Sequence, residues 1–469
     1  MSQALIMRDV NGGARGRGPA FLPADLRPEP AGGLYQGLYK RLRGFILDGV
    51  WTPGTRLPSS RALAADLKVS RNTAILAVEQ LIADGWAESR SRSGVYVSAA
   101  SVAAPAPAQR VERSAPVELP PFALQRPATD LFPAQVWKQL QARAWAEIEP
   151  HRLLTADPAG DPGLREAIAR LVCAPRGLRV HPDQILILPS ATMAIDLIAA
   201  ALLRPGDAAV VEEPSRPSVR QVLRTRGARL CPVPVDAFGL DTSALPSHAR
   251  LACLAPAVQF PTGAALSSDR RAYLIDWARS AGVWLIEDDR DSECGSEDAA
   301  PLPLAAEAPD RTLFVASFNR QLFPGLCAAF MVAPLAVVER LRGAHAIMGG
   351  RASLASQLAL RAFIAEGHFA RHLRKRRQSY AERRAVLAEM LGVQDPQAGL
   401  HLSLRVADGT APELARRLAE ARLGGVDLGL LSEDGSAADR ILLGLGATPD
   451  QIRDQAPRLA ALLQPQGDR

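Results

Sequence analysis

Hydrophobic and polar positions follow three different rhythms along this chain. Residues 1–33 are rich in Gly, Pro, Ala and Arg and show no apolar period, which predicts a disordered arm. From Leu34 onward, Leu38, Leu42, Phe45 and Ile46 fall at helical spacing, and the pattern stops near Gly49. Ser59 or Ser60 then caps a helix through Leu63 and Leu67, since a serine hydroxyl accepts from the free N–H groups of a first turn. After a short turn at Lys68 and Val69, Ser70 caps a second helix carrying Ala74, Val78, Leu81 and Ile82. Two short apolar stretches, 86–89 and 95–97, read as strands around the turn Ser91-Arg92-Ser93-Gly94. Helix, turn, helix and a basic two-stranded wing together predict a winged helix-turn-helix over residues 34–98.

Residues 99–121 are rich in Ala, Pro and Val, a composition that gives a partly extended linker. Beyond them, from 122 to 469, the rhythm changes again. Near-continuous apolar runs at 185–188, 208–211, 251–254, 283–286, 313–315 and 328–332 are separated in several places by helical segments. Runs that are apolar on both faces predict buried, largely parallel strands in an α/β sheet. Ligands of such sheets sit beyond the carboxyl ends of the strands, where several of these runs give way to polar turns.

Composition narrows the partners. At 469 residues with 48% hydrophobic, the chain is long enough for at least two cored domains. A net charge of +6 and a pI near 9.3 are compatible with nucleic acid. The five cysteines (Cys173, Cys231, Cys253, Cys294 and Cys327) have neither paired nor metal-ligand spacing, so no metal site is expected. There is no apolar stretch of membrane-spanning length and no signal-peptide pattern, and the expectation is a cytoplasmic protein with no membrane contact.

The first segment carries Leu57-Pro-Ser-Ser-Arg61-Ala-Leu-Ala, then Val69-Ser70-Arg71-Asn72-Thr73, then a glycine-containing wing. In these residues it closely resembles the DNA-binding domain of the GntR family, over Leu34 to Ser98. Lys68 departs from the small residue usual at its place. The start of a recognition helix points into the major groove, so Ser70, Arg71, Asn72 and Thr73 are placed to meet base edges and nearby phosphates. The resemblance implies a DNA contact for Arg61, and backbone or minor-groove contact for Arg92 and Gly94 at the wing tip. The partner implied is double-stranded operator DNA.

The remainder is organised around Val315-Ala-Ser-Phe-Asn-Arg320-Gln-Leu-Phe-Pro-Gly-Leu-Cys327. This stretch resembles the cofactor-anchoring hairpin of fold-type I pyridoxal-phosphate (PLP) enzymes, in particular the aminotransferase-like half of MocR-type regulators. Asp157-Pro-Ala-Gly160 with Leu164-Arg165, Gln259-Phe260-Pro261-Thr262-Gly263 and Ala398-Gly-Leu-His401 extend the resemblance over residues 125 to 465. It implies an N-terminal winged helix-turn-helix followed by a large α/β fold-type I PLP-transferase-like domain with a small C-terminal α/β subdomain. It also implies a homodimer.

The chemical positions of that pattern have changed. Arg320 stands at the imine-forming lysine, Cys327 at a phosphate-binding arginine, Arg290 at the ring-hydroxyl tyrosine and Arg216 at the stacking aromatic. The phosphate turn reads Ser190-Ala191-Thr192 without its glycine, and Leu442 aligns with a carboxylate-binding arginine. Asp288, the partner of the pyridine nitrogen, remains, as does Phe260, and Asn319 beside Arg320 is counted with the same vestigial cofactor or ligand pocket. An imine needs a neutral amine, and a guanidinium with a pKa above about 12 does not supply one. The expectation is therefore a regulator with no catalytic residues and no PLP. The alternative is a PLP-dependent aminotransferase-like enzyme or a PLP-responsive regulator. Buried guanidinium groups need partners. Either Asp288, Asp289, Glu213 or Glu287 pairs with Arg216, Arg290 and Arg320 in a closed cluster, or these arginines bind a small anionic effector.

Overall fold

The computed structural model describes residues 34–91, 93–98, 118–154, 157–292, 302–394, 399–407, 409–433 and 439–463. The expected arm, most of the linker, Arg92, Cys294 and Ala398 lie outside the described residues. The chain divides into two compact units, 1–117 and 118–469.

The first unit contains α1 (Leu34–Leu47), α2 (Ser60–Asp66), α3 (Arg71–Ala83), β1 (Ala87–Arg90) and β2 (Gly94–Val97). Both expected caps form. Ser59 Oγ accepts from the Ala62 N–H at 3.2 Å, and Ser70 Oγ accepts from the Thr73 N–H at 3.1 Å. The apolar stripe of α1 meets its counterparts in a core of Leu42, Ile46, Trp51, Leu63 and Leu81, all buried. The strands pair antiparallel from Ala87↔Val97 to Arg90↔Gly94, so the wing starts one residue later than the sequence suggested. Gly94 has φ +110°, and an added Cβ would sit 3.1 Å from Arg56 Nε, which makes glycine the residue for this turn. Lys68 adopts φ +50°, a left-handed conformation disfavoured for side chains by about 1 kcal/mol, which accounts for the usual small residue there.

The second unit opens with α4 (Ala134–Glu147) and α5 (Pro162–Ile168), then β3 (Ile185–Leu188), α6 (Ala191–Leu202), β4 (Ala208–Glu213) and α7 (Pro217–Thr225). It continues through β5 (Arg229–Asp236), β6 (Gly239–Leu240), β7 (Leu251–Leu254), α8 (Ser268–Ser280), β8 (Trp284–Asp288) and α9 (Leu304–Glu307). Next come β9 (Thr312–Ser317), α10 (Phe318–Gln321), β10 (Ala329–Val332), α11 (Leu335–Met348), α12 (Leu354–Ala365) and α13 (His368–Leu391). The last elements are β11 (His401–Arg405), α14 (Ala411–Glu420), β12 (Val426–Asp427), β13 (Arg440–Gly444) and α15 (Pro449–Leu463).

Eight strands form one sheet in the order β3-β10-β9-β8-β7-β4-β5-β6. Its centre, β9-β8-β7-β4-β5, is parallel, while β10 runs antiparallel to both β3 and β9. The sheet is therefore mixed, because α10 and a short turn return the chain directly to the neighbouring position as a hairpin. Both faces are covered. Ile185, Ile187, Phe314 and Phe330 enter one core, and their neighbours Leu186, Leu188, Leu313 and Val315 enter the other. A three-stranded sheet, β11-β13-β12, packs with Leu418 and Leu459 into a smaller C-terminal core.

Candidate functional site

In the first unit the expected DNA-reading residues share the start of α3 and its surroundings. Arg71 and Asn72 are exposed at the first two positions of α3, Thr73 is half-buried and Arg61 is exposed at the start of α2. Among the described residues neither Arg61 nor Arg71 makes an ion pair. Gly94 is exposed at the wing turn, where Arg90 is engaged with Glu88 and lies 4.6 Å from the Tyr96 ring centroid.

In the second unit the carboxyl ends of β4, β7, β8 and β9 converge. Asp288 ends β8, and Arg290 donates to both of its oxygens, from Nε to Oδ1 at 2.7 Å and from a terminal nitrogen to Oδ2. Arg216, preceding α7, donates to Asp291, lies 3.7 Å from Asp288 and stacks 4.1 Å from the Phe260 ring centroid. Arg320, on α10 after β9, reaches the other oxygen of Asp291 from Nε at 3.4 Å. The three arginines thus meet in one cluster. Its inner side retains a cavity of about 20 Å³ lined by Glu212, Arg216, Cys253, Phe260 and Asp288, room for about one water molecule.

The pairing differs from the sequence expectation in three of its four carboxylates. Asp289 binds Arg176, at 2.9 Å in its longer contact, rather than a pocket arginine. Glu213 accepts from Ser432 and from the Glu433 N–H and lies 4.0 Å from Arg220. Glu287 accepts from the N–H groups of Leu304 and Ala305, at 2.9 and 3.0 Å. Carboxylates at successive positions of a strand end face opposite ways, so proximity in sequence to Arg216 and Arg290 did not identify the partners. Asp291 was missed. Its signal was its place in the acidic stretch Asp288-Asp289-Arg290-Asp291, directly after Arg290.

Burial opposes the charge on Asp291, but Arg216, Arg320 and Arg290 together hold its carboxyl below the usual carboxylate range. Glu212 has no such cations in contact. Burial pushes it up to about 8, against the bonds it accepts from Ala255 N–H and Gln259. Burial likewise pushes Glu287 up to about 7, with the nearby Asp289 charge adding to it. His401 caps the site from β11. Its ring nitrogen lies 2.6 Å from the Pro261 carbonyl, and burial lowers its pKa.

The Arg320 turn is fixed on both sides. Asn319 donates to Pro189 O and accepts from the Ala328 N–H, each at 2.7 Å. Gln321 O lies 2.9 Å from His372 Nε2 and 3.0 Å from Arg376 of α13. Ser190 caps α6, accepting from the Met193 N–H at 3.1 Å, with Ala191 buried and Thr192 half-buried in its first turn. Cys327 is exposed at φ +53° and lies away from the arginine cluster's contacts. Leu442 is buried against Phe260, Leu428 and Leu431, an apolar seal where the resemblance puts a cation. Among the described residues no group of His, Cys, Asp and Glu has the arrangement of a metal site, and no helix is long and apolar enough to cross a membrane.

The fold defines a class: a winged-helix reader joined to an aminotransferase-like body. Residues 34–97 match the model for bacterial regulatory proteins of the gntR family, and residues 125–426 match aminotransferase class I and II. The chain is 32% identical to the probable rhizopine catabolism regulatory protein MocR of Rhizobium meliloti, covering 85% of this chain and 86% of that one. It is 31% identical to the pyridoxine biosynthesis transcriptional regulator PdxR of Corynebacterium glutamicum, over 80% of this chain and 82% of that one. Among solved structures, an archaeal alanine:glyoxylate aminotransferase superposes with a TM-score of 0.69 at 23% identity, covering 74% of this chain and 91% of that one. That likeness concerns fold alone. The chain belongs to the MocR-type transcription regulators of the GntR family.

Proposed function

We propose that this regulator reads operator DNA as a homodimer and that its aminotransferase-like domain pairs subunits and senses a ligand without PLP chemistry. The domains run 34–98 and 122–469, with an N-terminal arm and a linker at 99–121. Arg61, Ser70, Arg71, Asn72, Thr73, Arg92 and Gly94 form the DNA-reading set. Exposed, unpaired guanidinium groups around a capped helix start are what phosphate and base-edge contact require.

One observation carries the cofactor reading: the residues present do not fit PLP. Arg290 occupies both oxygens of the aspartate that would meet a pyridine nitrogen, and the space beside it is about 20 Å³. Arg320 offers no amine for an imine, and Arg216 lies over Phe260 where a ring would stack. On this reading Arg290 and Arg216 serve as internal counterions of Asp288 and Asp291. The test is spectroscopic. Adding stoichiometric PLP to the full-length protein should give no near-visible imine band, and a band abolished by borohydride reduction at a lysine would refute the reading. The DNA half is tested separately, by gel retardation with the cognate operator.

A further inference from the structure

Three guanidinium groups, Arg216, Arg290 and Arg320, face two carboxylates, Asp288 and Asp291, in direct contact; three positive charges against two negative leave one positive charge over. The imbalance is not shared evenly. Arg290 has both oxygens of Asp288, and Arg216 has Asp291 together with the face of Phe260. Arg320 has a single long Nε contact of 3.4 Å, and among the described residues no hydrogen bond reaches its terminal nitrogens. Its side chain is also the most open of the three, 24% exposed against 16% for Arg216 and 10% for Arg290.

A half-satisfied arginine on a flexible loop would simply point into water. Arg320 is held otherwise. The residues on either side of it are pinned, Asn319 to Pro189 and Ala328, and Gln321 to His372 and Arg376. The base of the side chain is therefore fixed and its Nε is tethered to Asp291, which reduces the ordering cost of binding. Resting on the reading that PLP is absent, we infer that Arg320 is the binding group for a compact oxyanion, the carboxylate or phosphate group of a small metabolite. It would be held through the two terminal nitrogens, with Arg216 behind it as the second cation on Asp291. The ligand lies on the outward side of the Arg216–Asp291 pair, because the inner cavity admits only about one water. A planar guanidinium matches the two oxygens of such a group, and charge assistance makes that contact strong. One bound monoanion would bring the cluster to neutrality.

The experiment is calorimetry of the full-length protein with acetate and with inorganic phosphate as separate probes. Saturable, near-stoichiometric binding of at least one probe by wild type is expected. Arg320→Gln should weaken it by at least about tenfold, the worth of one charge-assisted contact, with an unchanged melting temperature. The surface variant Arg170→Gln should bind as wild type does, and Asp291→Asn, with a larger charge excess, should bind more tightly. Whichever probe binds better identifies the oxyanion class. No saturable binding by wild type, or equal binding by Arg320→Gln, would overturn the proposal. A PLP imine band would instead sink the cofactor reading on which it rests, and the two failures are told apart by their readouts.

Discussion

Arginine does opposite work in the two units. In the reader unit Arg61 and Arg71 stand exposed at helix starts with no acidic partner among the described residues. In the aminotransferase-like unit Arg216 and Arg290 are largely buried, Arg320 less so, and all three meet Asp288 or Asp291. The difference is one of solvent. An exposed guanidinium is already hydrated and exchanges water for phosphate at little cost, whereas a buried one must bring its counterion with it. A residue type alone therefore does not tell whether a cation is for a partner or for the fold; its burial and its acidic neighbours do.

The comparison breaks most completely by removing one side of it. A chain lacking residues 1–98 should lose operator binding altogether while keeping its dimer by sedimentation; retained gel retardation would show that the reader lies elsewhere. Next in size is the inward side. Asp291→Ala removes the carboxylate that the largely buried Arg216 shares with Arg320 and should cost about 3 kcal/mol of stability in chemical denaturation. The matching change outside, Arg71→Ala, should leave denaturation unchanged. It should weaken cognate operator binding by about 1–3 kcal/mol and relax base preference, measured by fluorescence titration over a set of operators.

A pH series sharpens the contrast further. Glu212 is protonated more readily in the folded chain, at about 8, than in the unfolded one, so its contribution is fully present below the unfolded value. It is lost as pH rises through about 8. Asp291 has the opposite sign: its folded value is depressed, so its contribution is present at neutral pH and lost only in strong acid. Glu212→Gln should therefore flatten the decline in stability between the unfolded value of 4.5 and about 8, seen as a melting temperature that varies less with pH than wild type's. The smallest effect belongs to Arg320→Lys. It restores an amine, but Arg290 still holds Asp288 and Arg216 still covers Phe260, so PLP absorbance should be weak at most and transamination absent.

Much of this was legible in the sequence because it depends on periodicity and local caps. Ser59 and Ser70 announced their helices through spacing alone, and the six apolar runs are six strands of the large sheet. β5 was not legible, since Pro232 and Pro234 break the usual strand signature; it pairs with β4 on one side and only with the two-residue β6 on the other, where a missing N–H is tolerated. Direction was legible only at the hairpin that the resemblance implied between β9 and β10. A run of buried residues looks the same whichever way it is threaded, and only the short connection through α10 reveals that β10 is antiparallel. At the pocket, the substitutions at 216, 290 and 320 could be read one by one, but their partners could not. Asp291 lies one residue from Arg290, 29 from Arg320 and 75 from Arg216, and it serves the two distant ones by ion pair.

Helix α13 joins places that the sheet keeps apart. It is 24 residues long, about 36 Å of continuous rod, and two of its contacts lie far apart in the fold. Near its start His372 and Arg376 grasp the backbone beside Arg320; further along, buried Arg383 binds Asp130 and the Gly446 carbonyl at 2.6 and 3.0 Å. Both stations belong to one rigid element, so a shift of its axis would move the backbone beside Arg320 and the contacts to Asp130 and Gly446 together. The arginine turn and the C-terminal layer thus share one element of the fold as their common support.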